Sequence, residues 1–350
     1  METQVIEALE RKDYRQVNRL LKQWQTTEPD SLLLRLYAAR LQEKTKRLES
    51  AEKNYLALLK RSPNIKVMKQ ARAGIARIHA QRKAQKSQAL SEAKQACGAE
   101  KISLLVLEAP KEEQRKAAIA NLAQTFSLDA YAARMKIPNQ GIRLYRVGPL
   151  GELTYFSKSL DRAPTRVVRV EDIQEIQTFQ ICYFEAITPK PTIVCKSKEG
   201  QIGKISFDWK EVNYRLSGQL PIFEQVVDIG SWGRTVHKKR VQDYAQVIDL
   251  HLPQRKIMLR LCDHTYQYAE GISLSGTKEI NSRIKWNNLL QQVSQFAVFP
   301  QCDDFTQFAK GALDFIPLLP AIAPNLDIDR RAPSDWDIAF HLYSSIYYLG

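Results

Sequence analysis

The sequence predicts a multidomain chain, helical over its first hundred residues and α+β over the remainder. Three observations carry this. Apolar residues at helical spacing recur at an offset of 34 that also separates Pro29 from Pro63. Predicted strands and helices then follow one another in the order βααβαβ up to about residue 170. From about 172 the apolar pattern changes to period 2 with recurring turn signals, a β-rich barrel that ends on a tryptophan-bearing helix. The 350 residues suffice for several domains, and 44% hydrophobic with 26% charged residues is the composition of a folded chain, not a disordered one. The expected boundaries are 1–95, 100–170 and 172–298, with a C-terminal extension over 299–350.

Residues 1–95 read as helices because glycine is scarce and apolar positions recur every three to four residues. Val5, Ile6 and Leu9 share one face; Tyr14, Val17, Leu20, Leu21 and Trp24 share another. At the offset of 34, Val17 meets Ala51, Leu21 meets Tyr55, and Trp24 meets Leu58. Between Lys66 and about Lys86, the stripe Met68, Ala71, Ile75 and Ile78 predicts a helix that closes the stack and turns Lys66, Lys69 and Arg77 away from it. KDYRQVNRLLKQWQTTEP and KRLESAEKNYLALLKRSP each resemble the second helix of a tetratricopeptide repeat with its closing proline. The resemblance covers residues 1 to about 90, and two repeats plus a capping helix are the expected count. It implies a curved surface that binds peptides or proteins and has no chemistry of its own; a plain helical bundle used for internal packing is the alternative. With RLYRVGPLGEL and QDYAQVIDLHLP, the whole chain resembles the soluble tetratricopeptide-containing proteins of cyanobacteria, which implies an assembly or regulatory role.

KISLLVLEAP, over Lys101–Pro110, is a β-rich run ended by proline. A helix from about Lys111 to Phe126 follows, with Ala117, Ile119, Leu122 and Ala123 as its buried stripe. Ser127 is expected to cap a second short helix that contains Leu128, Tyr131 and Met135. After the turn at Pro138–Gly141, Ile142–Val147 alternates as a strand, Leu150–Leu160 reads as a helix and Thr165–Val170 as a strand. In element order and length this segment resembles the C-terminal domain of the bacterial ribosomal stalk protein. That implies a docking module and no ribosomal role, because fold does not determine function.

The strands expected beyond 172 are Thr178–Ile187, Pro191–Lys196, Gly203–Trp209, Ala245–Leu252 and Lys256–Cys262, while the order between Val212 and Tyr244 stays open. A helix from Asn281 to Phe296 should bury Ile284, Leu289, Leu290, Val293 and Phe296 around Trp286. KIMLRLCDHTYQY followed by RIKWNNLL resembles the end of a pleckstrin-homology-like barrel, with Trp286 as the helix tryptophan. That family binds phosphoinositides, acidic headgroups or peptides, the lipid-binding members through basic residues around the first hairpin. Lys190, Lys196, Lys198 and Lys204 lie near the corresponding turn. Arg234, His237, Lys238, Lys239 and Arg240 make a second basic cluster, either a loop that meets phosphate or a solvated strand edge. In the extension, Phe315–Pro320 is an apolar strap and Asp335–Tyr348 an aromatic helix, expected to dock on the chain's own core, with a partner contact as the alternative.

The formal net charge of +14 is concentrated in the helical region. Residues 1–100 hold 21 basic and 11 acidic side chains, and no acid occurs between Glu52 and Glu92, where ten basic residues lie. A one-signed surface attracts acidic proteins, nucleic acid or anionic membranes. Sequence-tolerant nucleic-acid binding also wants aromatics among the cations; between Tyr55 and Tyr131 only Phe126 is aromatic. The expected partner is therefore a protein with an acidic surface, contacted by Lys66, Lys69, Arg72, Arg77 and Arg82. Nucleic acid and peripheral anionic membrane are the alternatives. Lys196, Lys198, Lys204, Lys238, Lys239 and Arg240 are the candidates for anion binding.

Signals for catalysis are sparse. Cys97, Cys182, Cys195, Cys262 and Cys302 are too far apart for a disulfide framework or a metal knuckle, which suits a reducing cytoplasm. The N-terminus lacks a signal-peptide core, and no apolar run reaches the length of a membrane span. Phosphate-cradling glycine loops, HExxH and GxSxG are missing, so no cofactor or metal is expected. Cys262-Asp263-His264, with Asp249 and His251 on the neighbouring strand, is the only concentration of catalytic residue types, and a nucleophile there needs cysteine and histidine within hydrogen-bond reach. The function expected is that of a non-enzymatic adaptor or assembly factor.

Overall fold

The computed structural model describes residues 1–61, 64–96, 98–229, 235–273, 281–296, 301–302, 305–328, 330 and 334–350. Pro63, Cys97 and Arg234 lie outside these residues, as do the side chains of Arg61, His237, Lys238 and Cys302. The chain divides into two compact units, residues 1–92 and 93–350.

Short connections and local caps define the helices of the first unit: α1 (Glu2–Glu10), α2 (Tyr14–Thr27), α3 (Leu32–Lys44), α4 (Leu48–Arg61) and α5 (Ile65–Gln95). Asp13 caps α2 by accepting a hydrogen bond from the Gln16 amide at 3.0 Å, and the Ser31 side chain accepts from Leu34 at the start of α3. Val17, Leu21, Trp24, Ala51, Tyr55 and Leu58, the three pairs related by the offset of 34, are all buried. On α5 the buried positions are Val67, Ala71, Gly74 and Ile78, whereas Met68 and Ile75 are only partly covered. Gly74 is there for space: a Cβ on it would stand 2.5 Å from the Tyr55 ring.

The second unit opens with β1 (Ile102–Glu108), α6 (Glu112–Phe126), α7 (Ala130–Lys136), β2 (Ile142–Pro149), α8 (Leu150–Ser159), β3 (Thr165–Arg169) and the short α9 (Val170–Gln174). The strands form an antiparallel sheet in the order β2-β1-β3. β1 is buried on both faces, Leu105 and Leu107 packing with α6 and α8, Leu104 and Val106 with the rest of the unit. Two expectations need correction here. Ser127 does not cap α7; it ends α6 in the left-handed conformation at φ 56°, and Asp129, in extended geometry, accepts from the Ala132 amide at 2.8 Å instead. The fully buried positions of α6 are Ala118 and Leu122, not Ala117.

The larger sheet has the order β10-β7-β8-β9-β4-β5-β6, built from β4 (Gln177–Ala186), β5 (Thr192–Lys196), β6 (Ile202–Ser206), β7 (Tyr214–Ile229), β8 (Thr235–Leu252), β9 (Ile257–Cys262) and the two-residue β10 (Gln301–Cys302). Two antiparallel meanders, β4-β5-β6 and β7-β8-β9, are joined by the parallel pair β4·β9. Among the described residues no pairing joins β6 to β10. The stretch whose order the sequence leaves open is one long hairpin, with Tyr214 opposite His251 at its base and Ile229 opposite Thr235 at its far end.

α10 (Ser282–Ser294) covers one face of this sheet with Trp286, Leu289 and Val293, and the Trp286 indole donates to Gln246 Oε1 at 2.7 Å. Ile284 and Phe296 are exposed, contrary to expectation. Two residues is about 200° of helical rotation, which puts Ile284 on the side opposite Trp286. α11 (Phe305–Ala312) and α12 (Asp335–Tyr348) cover the other face: Phe305, Phe308, Phe340, Leu342, Tyr343 and Ile346 share one core with Leu104 and Val106 of the small sheet and Leu216 and Leu220 of β7. The aromatic helix thus docks on the chain's own core, and Ile316 of the preceding strap and Ile322 just beyond it join that core.

Candidate partner-binding surface

The repeat spacing that packs α5 against α4 also sorts its cations into two kinds. Arg77 donates to Glu43 Oε1 and Oε2 at 2.7 and 2.9 Å, and Arg82 donates to Glu52 at 2.6 Å. Glu52 also meets His79 Nε2 at 2.9 Å, and Glu43 also accepts from the Tyr55 hydroxyl at 2.7 Å. Burial pushes the Glu43 carboxyl up, but the hydrogen bonds from Arg77 and Tyr55 prevail and hold it below the usual range. Lys66, Lys69 and Arg72 are exposed and make no ion pair among the described residues. Lys69 projects from the side of α5 opposite Ala71 and Ile78, and Lys66, Arg72 and the equally exposed Lys83 flank it. Of the five predicted contact residues, then, three form an uncompensated ridge and two are occupied inside the unit.

A groove of about 540 Å³ runs between α2 and α3 of the same unit. Lys22, Arg47 and Arg35 line it beside Tyr14, Asn18 and Gln25; Arg35 is paired with Asp30 at 3.4 Å, and no carboxylate lies in the lining itself. Sequence reasoning missed these three cations, because single charges on different helices form no pattern until the helices pack.

The predicted anion-binding residues do not converge. Lys196 Nζ lies 3.5 Å from Asp327, and Lys204 Nζ donates to Glu185 at 2.6 Å. Lys198 is exposed on the β5–β6 turn without an ion pair among the described residues. Lys239 and Arg240 are exposed on β8, opposite Gln225 and Glu224. β9 and β4 separate that hairpin from β5 and β6, so the two basic clusters sit on different parts of the sheet.

The concentration of catalytic residue types also divides. Cys262 is buried, its thiol pushed up to about 11 by burial, whereas His264 is exposed beyond the strand end; the two side chains make no hydrogen bond. A nucleophilic cysteine needs the opposite shift. Asp249 instead faces Arg260, a residue that sequence reasoning passed over: both are fully buried, with Nε···Oδ1 at 2.8 Å and Nη2···Oδ2 at 2.6 Å. The signal available was a lone arginine in the otherwise apolar run IMLRLC. His251 Nε2 meets Ser344 Oγ at 2.8 Å, and burial pushes this imidazole down to about 4. Among the described residues, no group of three His, Cys, Asp or Glu side chains is placed to hold a metal ion, and no helix is long and apolar enough to cross a membrane. Comparison with protein-family models, curated proteins and solved structures finds no match to this chain.

Proposed function

We propose that the protein is an adaptor or assembly factor whose helical unit, residues 1–92, binds an acidic segment of another protein. The observation that carries this reading is the division of charge on α5: the neighbouring carboxylates Glu43 and Glu52 are taken by Arg77 and Arg82, leaving Lys66, Lys69 and Arg72 uncompensated. The groove between α2 and α3 adds Lys22 and Arg47 of the same sign. The reading of the unit as tetratricopeptide-like rests on the buried pairs at the offset of 34. The pleckstrin-homology-like reading of the larger sheet rests on its two meanders and on α10 packed through Trp286. Both serve the same function, separate docking surfaces on one chain.

The test is capture of partners from the native host at low and high salt, comparing the full chain with a Lys66→Glu/Lys69→Glu/Arg72→Glu variant. Defined protein partners that the variant retains about tenfold less, equal to about 1.4 kcal/mol, support the reading. Recovery of nucleic acid alone, or partner recovery unchanged by the variant, overturns it.

A further inference from the structure

β2 is an edge strand: β1 pairs along one side of it, and among the described residues no strand pairs along the other. A cleft of about 330 Å³ follows that open side. Ile142, Arg143, Leu144 and Tyr145 all line it, and consecutive residues of a strand face opposite sides of a sheet, so the cleft runs along the edge and not over one face. The main chain is turned outward there at Leu144. The Ala109 amide donates to Gly141 O and the Glu108 amide to Pro164 O. By alternation Val106, like Glu108, directs its main-chain groups at β3, so Leu144, which stands opposite Val106, turns its own N–H and C=O away from β1.

The other wall is α11, which contributes Gln307, Lys310 and Gly311 from one helical face, with Asp314 just past its end. Gly311 keeps this wall low. Gly74 and Gly151 stand in helices because a Cβ would collide with the Tyr55 ring and the Ala93 carbonyl, whereas within 4 Å a Cβ on Gly311 would meet only Arg143 Nε, at 3.8 Å. Packing does not demand glycine at 311, although alanine is the better helix former. The charge of the lining is unequal: Lys136, Arg143 and Lys310 make no ion pair among the described residues, and Asp314 is the one carboxylate among the described lining residues.

We infer that this cleft takes an extended acidic segment of a partner protein, which pairs as an added strand with β2 at Leu144 and sets its carboxylates against Lys136, Arg143 and Lys310. An open strand edge supplies the main-chain donor and acceptor for such a segment, and the three cations fix the sign of its side chains. The site belongs to the second unit and does not rest on the reading of the helical one.

Fluorescence anisotropy with a labelled peptide EVEVE tests this, on the full chain carrying Lys66→Glu/Lys69→Glu/Arg72→Glu so that the helical unit does not compete. Saturable binding is expected, at least about tenfold tighter than for the same peptide methylated on its backbone nitrogens, which cannot donate to a strand, and than for KVKVK. Lys310→Glu, and Gly311→Leu, which fills the cleft, should each weaken it about tenfold. Lys310 is exposed, so its variant is expected to fold and keeps the test decisive if Gly311→Leu does not. No saturable binding, equal binding of the methylated peptide or of KVKVK, or affinity unchanged in Lys310→Glu would each overturn the inference. So would a second copy in the cleft, read by sedimentation as a dimer that Gly311→Leu disperses and the peptide does not.

Discussion

Arg77 and Glu43, 34 residues apart, are joined by two hydrogen bonds of 2.7 and 2.9 Å. The repeat offset thus brings an α3 acid and an α5 base together, and the Tyr55 hydroxyl of α4 closes the triangle on the same carboxylate. A residue that reads as a free contact in the sequence is a tie between helices.

Arg77→Ala is accordingly expected to destabilise the first unit by about 1 kcal/mol, since the arginine is half exposed and the pair is partly screened. Lys69→Ala should leave stability within about 0.5 kcal/mol. Chemical denaturation of both variants checks the contrast. The Glu43 carboxyl is held low in the folded state, so its contribution is complete above the unfolded carboxylate value and fades as pH falls through the folded one. The gap between Arg77→Ala and the wild type should narrow in acid.

Gly74→Ala tests the spacing between α4 and α5. Helix propensity favours alanine by about 1 kcal/mol, but the new methyl would stand 2.5 Å from a ring that Glu43 holds by its hydroxyl. Overpacking at about 1–3 kcal/mol wins. The measurement is the thermal midpoint of the variant, and a rise would show that the ring can yield.

Asp249 and Arg260 make a fully buried ion pair, and removing one partner strands the other. Asp249→Asn is expected to destabilise the second unit by about 3–5 kcal/mol. Asp249→Leu with Arg260→Met should recover most of that loss, because no charge then remains buried. Urea unfolding of the single and double variants separates the two outcomes.

His251 and His341 predict a pH dependence in the same unit. Both imidazoles are pushed down, to about 4 and about 3, chiefly by burial. Below the ordinary imidazole value near 6.5 the unfolded chain takes up protons that the folded one refuses, so stability is full above that pH and declines as pH falls toward 4. Unfolding midpoints measured from pH 7 to pH 5 should drop, and His251→Gln should flatten the slope.

Cys195 and Cys262 are buried, their thiols pushed up to about 11 mainly by burial. Iodoacetamide at neutral pH should leave both unmodified in the folded protein and alkylate them once it is unfolded. Mass spectrometry of the peptides reads this directly.

The elements themselves were legible, because periodicity reports which side of a segment is covered. The offset of 34 identified six residues that prove buried, and the strand and helix order of 102–170 follows the apolar runs. The differences are local: Asp129, not Ser127, has the extended geometry of a cap, and Ile284 lies opposite the stripe formed by Trp286, Leu289 and Val293. The long hairpin over 214–252 escaped because its described outer positions, Phe223–Gln225 and Lys239–Tyr244, are exposed in succession and so show no period-2 pattern of burial.

Composition and spacing alone placed the charge on the helical unit and marked the aromatic helix for burial, since both are sums over neighbouring residues. Which cations are free and which are tied depended on contacts between distant residues, Asp249 with Arg260 11 positions apart and Glu43 with Arg77 34 positions apart. A hydrogen bond is a property of distances of about 3 Å, and only the folded chain sets those.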